Sequence, residues 1–254
     1  MTDHIRSKTI SAAAVLFWLV VWQIAVTLVN RNLLIPIPTP VSTAAALCRV
    51  ITDPESLTAV GLSVLRILAG FLGALAAGIV LAILSARSEL FRILTSPLIQ
   101  LIRAIPVASF TILLFLWVSR GKLPSTISFF TVLPIIWANV ESGIMASDKE
   151  LIEMARVFGM KGGKILSEIV LPGIRPYFAS AVTSGIGFAW KSGVAAEVIC
   201  RTQNSVGNLL WIGKSTIDYD EVFAVTLLIA LLSVLIQKGA MLLFRREPKK
   251  GGAG

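Results

Sequence analysis

Histidine, cysteine and charge are all scarce in this chain of 254 residues. The one histidine, His4, sits in the N-terminal tail, so neither a His-built metal site nor a Ser-His-Asp triad can be assembled. Cys48 and Cys200 are the only cysteines and no CxxC occurs. Two isolated cysteines specify little, so a disulfide and two unpaired thiols both stay open. The one glycine-rich basic stretch, Gly159-Met-Lys-Gly-Gly-Lys164-Ile, lacks the G-x-x-x-x-G-K-S/T spacing, so its backbone is not arranged to cradle a nucleotide phosphate.

Apolar residues take the place of charge. Charged residues make up 15% of the chain, hydrophobic ones 56%, and the mean hydropathy is +0.84. Soluble domains carry roughly 45–50% apolar residues, so the composition predicts an all-α integral membrane protein. Thr9 to Val29 is free of charge over more than the ~20 residues that cross a hydrocarbon core. It is too long for a signal-peptide apolar region and no small-x-small cleavage site follows it before Asn30, so it reads as a retained first helix. Five further spans follow: Ile67 to Ala86, Ile93 to Ser119 with Arg103 inside, Leu123 to Met145, Arg175 to Ile199, and Val222 to Phe244. The fifth holds Lys191, Glu197 and the glycines Gly185, Gly187 and Gly193, which predicts a bent helix packed inside protein. Gly70, Gly73, Ala74, Ala77 and Gly78 give the second span a small-residue face suited to close helix packing.

Six spans would put both termini on one side. With the N-terminus cytoplasmic, that side receives fourteen Lys and Arg residues: Arg6, Lys8, Arg87, Arg92, Lys149, Arg156, Lys161, Lys164, Arg175, Lys238, Arg245, Arg246, Lys249 and Lys250. The other side receives six: Arg31, Arg49, Arg120, Lys122, Arg201 and Lys214. The excess places both termini inside. It also accounts for the net charge of +9 without nucleic acid, because the cations cluster at helix ends beside an anionic leaflet. Between the first two spans, Pro36, Pro38 and Pro40 force an extended path. An interfacial helix over Val41 to Ile51 follows, with Ser42 or Thr43 near its start, and Ser56 to Leu65 begins a second.

The segment between the fourth and fifth spans is the most distinctive. Asp148 can cap a short helix over Lys149 to Phe158 that Gly159 stops, with Leu151, Ile152, Ala155 and Phe158 on one side as a knob for a partner's groove. Lys164 to Leu171 can form another helix, stopped by Pro172. Glu153-Met-Ala-Arg-Val-Phe-Gly159 and, nine residues on, Ile169-Val-Leu-Pro172 resemble the EAA loop of ABC importer permeases, E-A-A, three residues, G, nine residues, I-x-L-P. Only Met154 departs from that pattern. The resemblance continues through Ser63-Val-Leu-Arg66-Ile-Leu-Ala-Gly70-Phe71 and Pro97-Leu-Ile-Gln-Leu-Ile-Arg103-Ala-Ile-Pro106, closest to the nitrate, sulfonate and taurine branch.

The resemblance implies a type I ABC importer permease fold: one transmembrane domain over 1–254, a first peripheral helix over 9–29, a core permease bundle over 56–244 and a cytoplasmic coupling loop over 148–172. It implies a small solute, such as a sulfonate, nitrate or a vitamin precursor, delivered by an extracytoplasmic substrate-binding protein across a bacterial inner membrane. The chain would bind no cofactor. ATP and Mg would sit on two copies of a separate ATP-binding subunit, and a second permease copy would complete a homodimer. Glu153, Ala155, Phe158, Gly159, Ile169, Leu171 and Pro172 would be ATPase-coupling contacts, none of them catalytic.

Lys191, Trp190 and Glu197 are the candidates for a translocation pathway. A lysine at the bilayer centre costs roughly 2.5–3.5 kcal/mol on insertion scales, so Lys191 should face protein, water or a partner. It either meets an anionic solute or serves structure by pairing or snorkelling. Arg66 and Arg103 read as interfacial anchors, and Trp18, Trp22, Trp117, Trp137, Trp190 and Trp211 as belt or packing residues. Two other classes compete. A membrane enzyme would need an acid-base or metal cluster, for which Asp218, Asp220 and Glu221 are the densest acids, and a passive channel would need no coupling helix. The solute itself is not written in the sequence.

Overall fold

A computed structural model describes residues 2–32 and 36–244, without the side chains of 2–12, 32 and 149. The side chains of His4, Arg6, Lys8 and Lys149, and all of Arg245, Arg246, Lys249 and Lys250, therefore lie outside the described residues. Every described element is helical: α1 (Thr2–Val29), a 3-10 turn (Asn30–Asn32), α2 (Pro40–Thr52), α3 (Pro54–Arg87), α4 (Glu89–Ala104), α5 (Val107–Leu114) and α6 (Leu123–Met145). There follow α7 (Lys149–Val157), α8 (Gly162–Ile165), a π-helical turn (Leu166–Val170), α9 (Leu171–Cys200), α10 (Val206–Ser215) and α11 (Tyr219–Phe244).

The centre is α6 laid between α3 and α9. Ile67, Phe71 and Ala74 of α3, Ile136 and Trp137 of α6, and Ile186, Ala189 and Trp190 of α9 form one buried cluster. The expected small-residue face makes this approach possible. A Cβ on Gly70 would run into the Ser125 carbonyl, and one on Gly78 would stand 2.8 Å from the Ile136 Cβ. Polar groups stitch the same seams without leaving backbone unpaired: Ser125 Oγ donates to the Arg66 carbonyl (2.7 Å), Ser128 Oγ to the Ala189 carbonyl (3.0 Å), and Trp137 Nε1 to Ser85 Oγ (2.9 Å). On the outside of the bundle α11 packs on α9 and α10, and α2 is tied to it by Ser42 Oγ donating to Asp220 (2.6 Å). α1 meets α11 at Trp22 and Phe223, ring centroids 6.2 Å apart; in α1 Val26 is buried, while most of the other described apolar side chains point outward.

Three described helices, α3, α6 and α11, are long and apolar enough to cross a membrane, and α4 with α5 makes a fourth if that bent pair is one span. The stretch expected to run straight over Ile93 to Ser119 is in fact broken, its two helices bent by 102°. Pro106 is the reason. A residue before proline is pushed out of the helical region, and Ile105 sits at φ −75°, ψ 125°. The expected separate helix over Ser56 to Leu65 is instead the first half of α3, which runs through Arg66 without interruption. α2 begins one step earlier than expected: Thr39 is its N-cap, and Ser42 completes a capping box rather than starting the helix.

Candidate functional site

The segment between α6 and α9 is built as the residues dictate at its first end. Asp148 accepts a hydrogen bond from the Leu151 amide (3.1 Å), capping α7. At the other end Gly159 has φ +73°, the left-handed conformation that lets the chain turn back. The Gly159 amide donates to the Arg156 carbonyl (2.9 Å) and the Met160 amide to the Ala155 carbonyl (2.9 Å), the paired bonds of a Schellman cap. A Cβ at Gly159 would meet nothing within 4 Å, so the backbone angle, not space, demands glycine.

The expected knob divides in two. Ala155 is 7% exposed and Ile152 half-buried. Leu151 (41%), Met154 (52%), Val157 (85%) and Phe158 (83%) stand outward instead, and Glu153 is exposed beside them. Sequence spacing therefore missed Met154 and Val157. The signal was available, since 151, 154 and 158 recur at the i, i+3, i+7 spacing of one helical face.

Pro172 does not stop a helix. It occupies the first turn of α9, and the helical path from Gly162 to Cys200 runs through it. The mismatch is absorbed just before it by the π turn, in which the Leu171 amide donates to the Leu166 carbonyl. Ile169 is half-buried, while Leu171 and Pro172 are exposed and line a cavity of about 770 Å³. Ile79 of α3, Val140 of α6 and Phe178 of α9 close its apolar walls, with Arg87 and Arg175 among the lining residues.

The three pathway candidates part company. Trp190 is buried and donates Nε1 to the Ile229 carbonyl (3.0 Å), joining α9 to α11. Glu197 is fully buried; its Oε2 accepts from Ser63 Oγ (2.8 Å) and from the Gly207 amide (3.2 Å) in the first turn of α10. Both face inward, away from any surface this chain exposes. Lys191 alone is exposed, on a face of α9 shared with Ser184 and Phe188. Cys48 and Cys200 are both free, Cys200 packed with Leu123, Ile127 and Ala196.

The acids that an interfacial enzyme would need are otherwise engaged. Asp218 accepts from the Glu221 amide (3.0 Å) and Asp220 from Ser42. No group of three His, Cys, Asp or Glu able to hold a metal occurs among the described residues.

Comparison with known proteins agrees with this architecture. The family model described as "Binding-protein-dependent transport system inner membrane component" matches residues 74–246. A putative ABC transporter permease protein of Methanocaldococcus jannaschii is 28% identical over 230 residues, 87% of this chain and 84% of that one. A putative aliphatic sulfonates transport permease protein of Bacillus subtilis is 27% identical over 233 residues, 89% and 82% of the two chains. Among solved structures, a bacterial alginate ABC transporter in complex with an alginate pentasaccharide-bound periplasmic protein superposes with a TM-score of 0.63 at 15% identity, covering 98% of each chain.

Proposed function

The chain belongs to the binding-protein-dependent transport system inner membrane components, a transport subunit and not an enzyme, and on that premise we propose that it is the permease of an ATP-driven importer. The observation that carries the proposal is α7. It is a capped helix closed by a glycine that only a left-handed turn requires, and among the described residues it leaves Leu151, Met154, Val157 and Phe158 exposed. An isolated nine-residue helix is marginal in water, so fixing both of its ends and exposing its apolar face is useful only if another chain covers it. That other chain is the ATP-binding subunit, present in two copies, which holds ATP and Mg; this chain holds no cofactor. The 148–172 segment is the coupling loop, with Glu153, Phe158 and Gly159 at the contact. Ala155, Ile169, Leu171 and Pro172 support it from behind.

The same reading supplies the topology. α3, α6 and α11, the bent α4–α5 pair, α1 and α9 make six spans with both termini in the cytoplasm of a bacterial cell, α1 as the peripheral helix and 56–244 as the core bundle. Two copies form a homodimer with the pathway between them, and an extracytoplasmic binding protein delivers a small anion. A sulfonate is the leading candidate, supported by the relative named for aliphatic sulfonates. Closure of the ATPase on ATP would move α7, and through the unbroken path from Gly162 into α9 would open the pathway outward. The test is to purify the chain with its ATPase and measure ATP-dependent uptake after Phe158→Ala. The proposal expects a stable permease that releases the ATPase; retained binding and uptake would refute it.

A further inference from the structure

Lys191 is placed where a cation needs a counterpart, and the described residues offer none. Charges bracket α9 at Arg175 and Arg201, and Lys191 stands sixteen residues from the first and ten from the second. At 1.5 Å per residue those are about 24 Å and about 15 Å along the axis, so the ammonium group starts close to the middle of a ~30 Å hydrocarbon layer. Snorkelling does not relieve it. Helical side chains lean toward the helix N-terminus, so Lys191 leans away from its nearer end, Cys200, and deeper into the membrane. No ion pair relieves it either. The ion pairs among the described residues are Arg92 with Glu89 and Lys164 with Glu168.

A second copy of the chain could not neutralise it. Of the 14 acidic residues, only Glu141 and Glu197 stand inside apolar spans; the others lie in first turns, connecting segments or near the chain ends. Glu197 is fully buried and committed to Ser63 and Gly207, and Glu141 is buried near the far end of α6. Neither can be presented across an interface. The face around Lys191 carries polar groups as well, since beyond Phe188 it continues toward the α9 N-terminus as Ser184 and Ser180, both exposed.

We propose that Lys191 is the solute-recognition residue of the pathway, binding a small oxyanion midway across the membrane. The inference rests on the permease reading above and adds the residue that meets the anion and its depth in the membrane. An exposed ammonium group with three donors suits a compact oxyanion such as a sulfonate, nitrate or bicarbonate, and repels cations of the same size. In a symmetric pair of chains two such lysines would face one pathway, so a single anion could meet both.

The experiment uses the permease assembled with its ATPase and loaded binding protein in proteoliposomes, with methanesulfonate, nitrate and bicarbonate as probes. A parent complex without binding-protein-stimulated ATP hydrolysis would sink the permease reading itself, whereas such hydrolysis without uptake of any of the three anions would overturn the anion assignment. If the parent transports, Lys191→Gln should cut uptake of the anion carried by roughly ten- to a hundredfold, the loss expected of a charge-assisted hydrogen bond. Binding-protein-stimulated ATP hydrolysis should persist, and Lys191→Arg should restore most of the uptake. Lys191→Gln transporting as well as the parent would overturn the inference. If Lys191→Gln does not assemble, Lys191→Cys in a Cys48→Ser, Cys200→Ala background decides. Labelling by a membrane-impermeant thiosulfonate reagent supports a watered, anion-accepting site, and protection throughout the ATP cycle overturns it.

Discussion

The amide of Met160 donates to the carbonyl of Ala155 across 2.9 Å, and that one bond closes α7 over the left-handed Gly159. It joins the residue that buries α7 against its own chain to the point where the helix turns away. The outward face and the turn are thus fixed by the same few atoms.

Replacement of Gly159 should act through the backbone alone. A Cβ there meets nothing, but a non-glycine residue in the left-handed region costs about 1–2 kcal/mol. Gly159→Val should therefore fray the α7 end and cut coupled uptake by roughly tenfold, while the unfolding temperature of the purified permease changes little. Gly159→Asn should be the mildest substitution, because asparagine tolerates this conformation. Equal effects of Val and Asn would point to crowding instead.

Phe158 and Val157 should matter for assembly and not for folding. Both are more than four-fifths exposed, so truncation to alanine removes little buried surface within the chain. If they fill a groove on the ATPase, Phe158→Ala should weaken the complex by about 2 kcal/mol or more, read as lost co-purification or a raised Kd. Glu153→Lys should weaken it as well by reversing the charge beside the knob.

The buried carboxylate of Glu197 should be structural. Glu197→Ala would leave the Gly207 amide unpaired and take the acceptor from the Ser63 hydroxyl, which keeps only its bond from the Val206 amide, costing about 2–4 kcal/mol. Thermal unfolding in detergent should show it, with Glu197→Gln closer to the parent because an amide oxygen can still accept both bonds.

Asp53 offers a pH test outside the membrane. Its carboxylate accepts from the Ser56 amide (2.8 Å) at the start of α3, and hydrogen bonding to Ser56 holds its pKa below the usual aspartate value. A lowered folded-state value means that the cap is fully effective above the unfolded pKa and is lost as pH falls through the folded one. Asp53→Ala should therefore lower stability at neutral pH and make little difference in strong acid. The comparison is two unfolding curves, parent and variant, at each pH.

Much of the architecture could be read before any coordinates. α6 lies at the expected Leu123–Met145 because an apolar run there opens on Pro124 and meets no charge before Glu141. The Asp148 cap and the Gly159 stop were legible because capping chemistry is local. What was hidden depended on context. Pro106 broke a stretch, charged only at Arg103, that hydropathy alone read as one span, and Pro172 proved no helix stop because the π turn before it carries the chain around. α10 was not anticipated, although Ser205 accepts a bond from the Asn208 amide as a regular N-cap. The split of the α7 face between Ala155 inward and Val157 outward depends on where α8 lies, which no spacing within α7 encodes. Trp190 and Glu197 looked like pathway residues because both are unusual inside a span; packing against α11, α3 and α10 turned them inward.

The central claim, that α7 is the contact with an ATPase, is tested most directly by placing a single cysteine at its tip. In a Cys48→Ser, Cys200→Ala background, Phe158→Cys should cross-link to the ATP-binding subunit in the assembled complex and be shielded from maleimide there, while reacting freely in the isolated permease. A cysteine at position 158 that stays equally reactive in both states and forms no cross-link would contradict the account.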